Sequence, residues 1–200
     1  MINPAFLPVI GLLVCILGEL FMNLMIKPVL RLSGLILLYL GGSILLLSVC
    51  SFQMCAALFV CGIGCTVLMG TALRENPVIL KSENNSRLRF AFRLLFCLIP
   101  GIMAYTASEL LRYWLPVHFL ILTISLWTGI MCLFNLAIED ELFYRCIWLQ
   151  SFCFAFTLCY VYMENSVLIV AFLAAINLLI SFGCTILSMG NVKENKEETI

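Results

Sequence analysis

The chain has 200 residues, 64% of them hydrophobic and 11% charged, with a formal net charge of zero and a mean hydropathy of +1.13. So little polar surface cannot cover a water-soluble core, and no Lys/Arg stripe is long enough to follow a phosphate backbone, which excludes a soluble domain and a nucleic-acid partner. The surroundings implied instead are a lipid bilayer.

A helix needs roughly 20 mostly apolar residues to cross a hydrocarbon core of about 30 Å. Seven segments meet or approach that length: residues 5–26, 32–49, 52–73, 90–111, 116–138, 146–163 and 166–189. The expected fold is therefore an all-α integral membrane protein of about seven transmembrane helices. The second and sixth are short, at 18 residues each. Residues 1–73 carry helices 1–3, residues 74–89 form a polar cytoplasmic linker, residues 90–189 carry helices 4–7, and residues 190–200 form a charged cytoplasmic tail with a frayed end. Ten of the 11 Lys and Arg residues fall in alternate gaps, at Lys27/Arg31, Arg74 to Arg93, Arg145 and Lys193/Lys196, and Arg112 alone lies in a gap of the other set. Positive charge stays cytoplasmic, so the N-terminus is expected outside and the C-terminus inside, in the cell membrane. The first ten residues hold no basic residue, which reads as an anchor rather than a secretory signal.

In chain order, helix 1 carries Glu19, with Asn23 and Lys27 at i+4 and i+8, a polar ladder on one helical face. An ionisable group within an apolar segment is costly and points to function. Two readings stay open: a proton relay, or a satisfied interhelical hydrogen-bonding group. Gly41, Gly42 and Ser43 in helix 2 and Gly62 and Gly64 in helix 3 give small surfaces for close packing. Cys61 and Cys65, one turn apart, read as packing rather than metal ligands, as do the cysteines of the other apolar runs. In the linker, Asn84-Asn85-Ser86 is a chance sequon on the cytoplasmic side, and Arg87, Arg89 and Arg93 are placed to meet anionic headgroups.

Glu109 stands three residues before Arg112 and can pair with it. His118 is the one histidine, which excludes a bis-histidine haem and a multi-histidine zinc site. Glu164 reads as the start of the last helix. Helix 7 then offers Ala174, Asn177, Ser181 and Cys184 at spacings of three and four, a stripe suited to packing within this chain or against a partner. No nucleophile elbow, phosphate loop or dinucleotide fingerprint is present, so neither an enzyme nor a cofactor is expected.

Two resemblances bear on function. Asp140, Glu141 and Arg145 resemble the acidic-acidic-x-x-x-Arg signature of the membrane-embedded CAAX-type proteases. In that family an acidic residue activates water and histidines on two later helices complete the site, whereas no histidine follows His118 here. The stretch from Phe156 to Leu178, with the run Leu35-Ile-Leu-Leu-Tyr-Leu-Gly-Gly42, is similar to a group of small bacterial multi-pass membrane proteins. More distantly it resembles the small hydrophobic subunits of complex-I-like membrane arms, hydrogenase-4 complexes and multisubunit cation/proton antiporters. That likeness implies intramembrane carboxylates that pass protons between paired helices. Helix 6 here has Thr157 and no carboxylate, which leaves Glu19 as the deep acid. The expectation is a non-catalytic accessory subunit of an ion-translocating complex, with other membrane subunits as partners. The alternative is a small stand-alone transporter.

Overall fold

A computed structural model describes residues 6–25, 27–75, 87–164 and 166–197. It is all-helical among those residues, in the order α1 (Leu7–Leu24), α2 (Pro28–Leu46), α3 (Phe52–Glu75), α4 (Arg87–Leu111), α5 (Phe119–Ile138), α6 (Leu142–Met163) and α7 (Val167–Glu197). All seven are long and apolar enough to cross a membrane. The chain is thus a multi-pass membrane protein in contact with lipid, and side chains such as Leu98, Leu168 and Phe172 stand exposed on its flanks as that surface requires. Most of the linker, the sequon within it, the side chains of Arg87 and Arg89 and the end of the tail lie outside what is described.

α2 and α6 each begin one turn before the apolar runs do, at Pro28 and Leu142. A charge ends a hydropathic run without ending a helix. Pro28 opens α2, where its missing N–H costs no hydrogen bond. The Arg31 N–H then bonds Lys27 O at 3.1 Å, and the Arg145 N–H bonds Glu141 O at 3.1 Å, so both arginines lie within a first turn. The two helices become 19 and 22 residues long. α7 continues as helix through Glu197, over residues read as a frayed tail. Glu164 closes α6 rather than opening α7: its N–H bonds Tyr160 O at 2.9 Å.

α2 and α6 form the middle of the bundle, with 61% and 56% of their spanning windows buried against 22% for α4 and 28% for α7. On one side of this pair stand α1, α4 and α5, mutually in contact; on the other, α3 packs on α7.

The closest approach is between α1 and α2. A Cβ on Gly11 would stand 2.9 Å from Gly41 O, one on Gly18 would stand 2.8 Å from Gly34 O, and one on Gly41 would stand 2.6 Å from Cys15 N. The two glycine pairs run in opposite directions along the helices, so α1 and α2 are antiparallel, backbone against backbone, wherever a side chain is missing. Gly42 and Gly62 make room in the same way for the rings of Phe154 and Tyr39.

Candidate polar sites within the bundle

Buried polar side chains gather in two interiors, one on each side of the α2/α6 pair. The first centres on Glu19. Gly18 presses against α2, and the next residue, turned about 100° around the helix, points away from α2 toward α4 and α5. Glu19 is completely buried. Its surroundings are the Thr128 hydroxyl on α5 and the thiols of Cys15, Cys97 and Cys132 on α1, α4 and α5. Thr128 is the polar neighbour of the carboxyl, yet the placement falls short of a hydrogen bond: Glu19 Oε1 and Oε2 and Thr128 Oγ1 are all without partners. Trp148 Nε1 on α6 and Ser125 Oγ on α5 are also buried and unbonded. Trp148 lies one turn from Ser151, whose hydroxyl donates to Met22 Sδ at 3.4 Å, so it shares the α6 surface that meets α1. Unpaired buried polar atoms are few in folded proteins, and here both carboxyl oxygens and the hydroxyl beside them are among them, which marks the place as unusual.

Asn23 lies one turn along and is also buried. Its Nδ2 donates to Cys97 Sγ at 3.1 Å and to Met131 Sδ at 3.9 Å, both weak acceptors. Lys27 is exposed beyond the end of α1. The ladder read from the sequence therefore has two buried rungs and one exposed, and Glu19 and Asn23 are not bonded to each other.

At the same end of the bundle stands a residue the sequence reading grouped with Lys27. Arg31 is only 4% exposed. Its Nη1 pairs with Glu139 Oε2 at 3.2 Å, its Nε donates to Met25 O at 2.9 Å, and its guanidinium lies 4.1 Å from the centre of the Tyr144 ring. Arg31 thus joins the end of α1, the start of α2 and the turn between α5 and α6. Arg145 Nε donates to Glu139 O, the carbonyl at the α5 C-cap, while Asp140 and Glu141 stand exposed in the same turn. The signal that could have found Arg31 is Pro28, which sets the helix start early enough to place residue 31 in the first turn. At the opposite end Glu109 pairs with Arg112 at 3.3 Å, and His118 is exposed ahead of α5 with its Nδ1 accepting from the Leu120 N–H.

The second interior lies among α2, α3, α6 and α7 and is hydrogen-bonded throughout. Gln150 Nε2 donates to Tyr39 Oη at 2.9 Å and to Cys65 Sγ at 3.2 Å, and Gln150 Oε1 accepts from Ser181 Oγ at 3.0 Å. Asn177 Nδ2 donates to Thr157 Oγ1 at 3.0 Å. The half-buried Ala174 offers its carbonyl to Cys61 Sγ at 3.4 Å, and Cys146 Sγ approaches Cys184 O at 4.0 Å. The helix 7 stripe of Ala174, Asn177, Ser181 and Cys184 is thus turned toward α3 and α6 of this chain. Gln150, buried in an apolar run, was not singled out from the sequence, although one amide in such a run is itself a signal.

This network should behave as a structural element. Ser181→Ala removes one partner of Gln150 and is expected to cost about 1 kcal/mol, the usual scale of an interhelical hydrogen bond. Gln150→Leu strands Tyr39, Cys65 and Ser181 together and should cost several times more. Unfolding in mixed micelles measures both, and equal losses would contradict the assignment.

Among the described residues no three His, Cys, Asp or Glu side chains are grouped to hold a metal ion. An apolar groove of about 270 Å³ between α5 and α6 is lined by Gly129, Leu133, Phe152 and Phe156 among others, a lining without charge. No family model, curated protein or solved structure matches this chain.

Proposed function

We propose that this protein is a non-catalytic accessory subunit of an ion-translocating assembly of the cell membrane, and that Glu19 is its exchangeable ionisable centre. One observation carries the reading: a carboxyl buried completely, where α1, α4 and α5 meet, with neither oxygen hydrogen-bonded. A glutamate kept for structure alone is expected to have its bonds satisfied, as Gln150 has on the other side of the bundle. An unsatisfied carboxyl is costly in lipid and is retained where the group changes its charge or its partner in use. The class of partner is taken from the distant resemblance drawn above, which runs from residues 156–178 and 35–42 through a group of small uncharacterised bacterial membrane proteins to the small hydrophobic subunits of such assemblies. The lightly buried α4 and α7 supply broad apolar flanks for such neighbours.

Glu19→Gln tests the proposal. The amide keeps the size of the side chain but cannot exchange a charge. The variant should co-purify with its membrane partners in mild detergent as the wild type does, with ion flux lost on reconstitution. Wild-type flux in a fully assembled variant would reject the role of Glu19. Purification as a lone monomer that still carries flux would point to a stand-alone transporter instead.

A further inference from the structure

We infer that α4 is a gate over the Glu19 interior: it bends at Pro100, and the Trp127 indole of α5 holds it shut. The inference rests on the reading of Glu19 as an exchangeable centre and names what regulates access to it.

The hinge follows from the sequence of α4. Pro100 stands in the middle of the helix, where it has no N–H to give Phe96 O and its ring crowds that carbonyl. Gly101 follows, the residue that resists bending least. A membrane helix keeps such a break where neighbouring helices make up the lost bonding. Here the neighbour is Trp127: its Nε1 donates to Cys97 O at 3.3 Å, and the same atom lies 3.6 Å from where a Cβ on Gly101 would stand. The indole thus spans the turn of α4 that the proline weakens. Little else resists movement beyond it. Of residues 101–111 only Ala104 and Ser108 are buried, both of them small, and residues 7–18 of α1 hold no hydroxyl, amide or charge to tie that half down. Its polar tie is to α5, where Thr123 Oγ1 donates to Ser108 Oγ at 2.9 Å, a pivot that leaves α4 free to part from α1.

What the hinge uncovers follows from the levels of the bundle. The pairing of Arg31 with Glu139 puts the C-terminal ends of α1 and α5 together, so these helices run parallel, and the ring contacts of Phe96 with Phe134 and of Tyr105 with Phe119 make α4 antiparallel to both. Asn23 sets the register, because its Nδ2 reaches Cys97 on α4 and Met131 on α5. One turn farther from the Arg31 end come Glu19 on α1, residues 100–101 on α4 and residues 127–128 on α5. The weakened turn, the indole that braces it and the buried carboxyl therefore share one level. The hydroxyls of Thr128 and Ser125, at this level and one turn on, are unbonded and do not tie α5 to α4. Cys97 lies before Pro100, so the half of α4 beyond the hinge can swing from α1 and uncover Glu19 while the contact with Asn23 holds.

Alkylation of the purified protein by N-ethylmaleimide in mild detergent, read site by site from peptide masses, tests the gate. Two thiols report on it: Cys97, and the one placed by Ala104→Cys on the buried face of the moving half. Cys65, buried in the second interior, reports on general loosening. Trp127→Phe keeps a ring but loses the donor, and should speed alkylation at both reporters about fivefold, the worth of one hydrogen bond, with Cys65 unchanged. Pro100→Ala, added to Trp127→Phe, restores an N–H for Phe96 O and should take that gain back. No gain from Trp127→Phe, or an equal gain at Cys65, overturns the gate held by the indole; a gain that survives Pro100→Ala overturns the hinge. Flux is not read in this experiment, so its failure would leave the role of Glu19 standing, and wild-type flux in Glu19→Gln would leave the hinge standing.

Discussion

Gly41→Leu is expected to leave little folded protein. A Cβ at this position lies 2.6 Å from Cys15 N and 2.9 Å from Gly11 O, both main-chain atoms of α1 that cannot rotate away. The helices would have to separate along their length, which also opens the contact between Gly18 and Gly34. Overpacking a core typically costs about 1–3 kcal/mol when side chains can adjust, and a backbone clash belongs at or above the top of that range. Gly129→Leu is the control: a Cβ there meets nothing within 4 Å. Size-exclusion profiles and thermal unfolding in detergent should separate the two variants plainly. Equal tolerance would mean that α1 and α2 are not held backbone to backbone.

The second large effect is expected at Glu139, through the residue it pairs with. Glu139→Ala leaves Arg31, only 4% exposed, without its carboxylate, and uncovering one partner of a buried pair typically costs about 3–5 kcal/mol. The reverse change should be milder. Arg31→Met fills much of the same volume and leaves behind a glutamate whose side chain is 21% exposed and can be hydrated. The order of the two losses, read from unfolding midpoints, is the measurement. A larger loss from Arg31→Met would show that the bond to Met25 O and the stacking on Tyr144, rather than the ion pair, hold this end together.

The existence of seven helices was legible because each is an apolar run near membrane length, a property of consecutive residues. Their starts were less so. Hydropathy registers where charge begins, whereas the helices of Arg31 and Arg145 begin where hydrogen bonds do. Glu19, Asn23, Asn177 and Ser181 could be picked out as polar groups in apolar surroundings, but their partners could not. The pairing of Asn23 with Cys97 and Met131 spans 74 and 108 positions, and no local pattern encodes it. Gly11 and Gly18 in α1, with Gly34 and Gly41 in α2, repeat at seven residues, so that contact was readable from spacing although only Gly41 of the four was singled out. Arg31 shows the opposite limit: the same charge that counts toward a cytoplasmic end turned out to be buried, because the early start of α2 carries it inward.

The antiparallel contact of α1 and α2 also bears on how the chain is made. Only a short turn around Lys27 joins these helices, so they can close on one another while the rest of the protein is still being synthesised. Glu19 looks away from that contact, and Thr128, its neighbour on α5, lies more than a hundred positions downstream. During that interval a nascent chain has a finished hairpin with an acid turned toward the lipid, and a chain cut short after α3 would keep it there permanently. Arrival of α4 and α5 removes it from view. The residue that marks the mature interior is thus, in an unfinished copy, an ionisable group left facing hydrocarbon, a cost that docking of α4 and α5 removes.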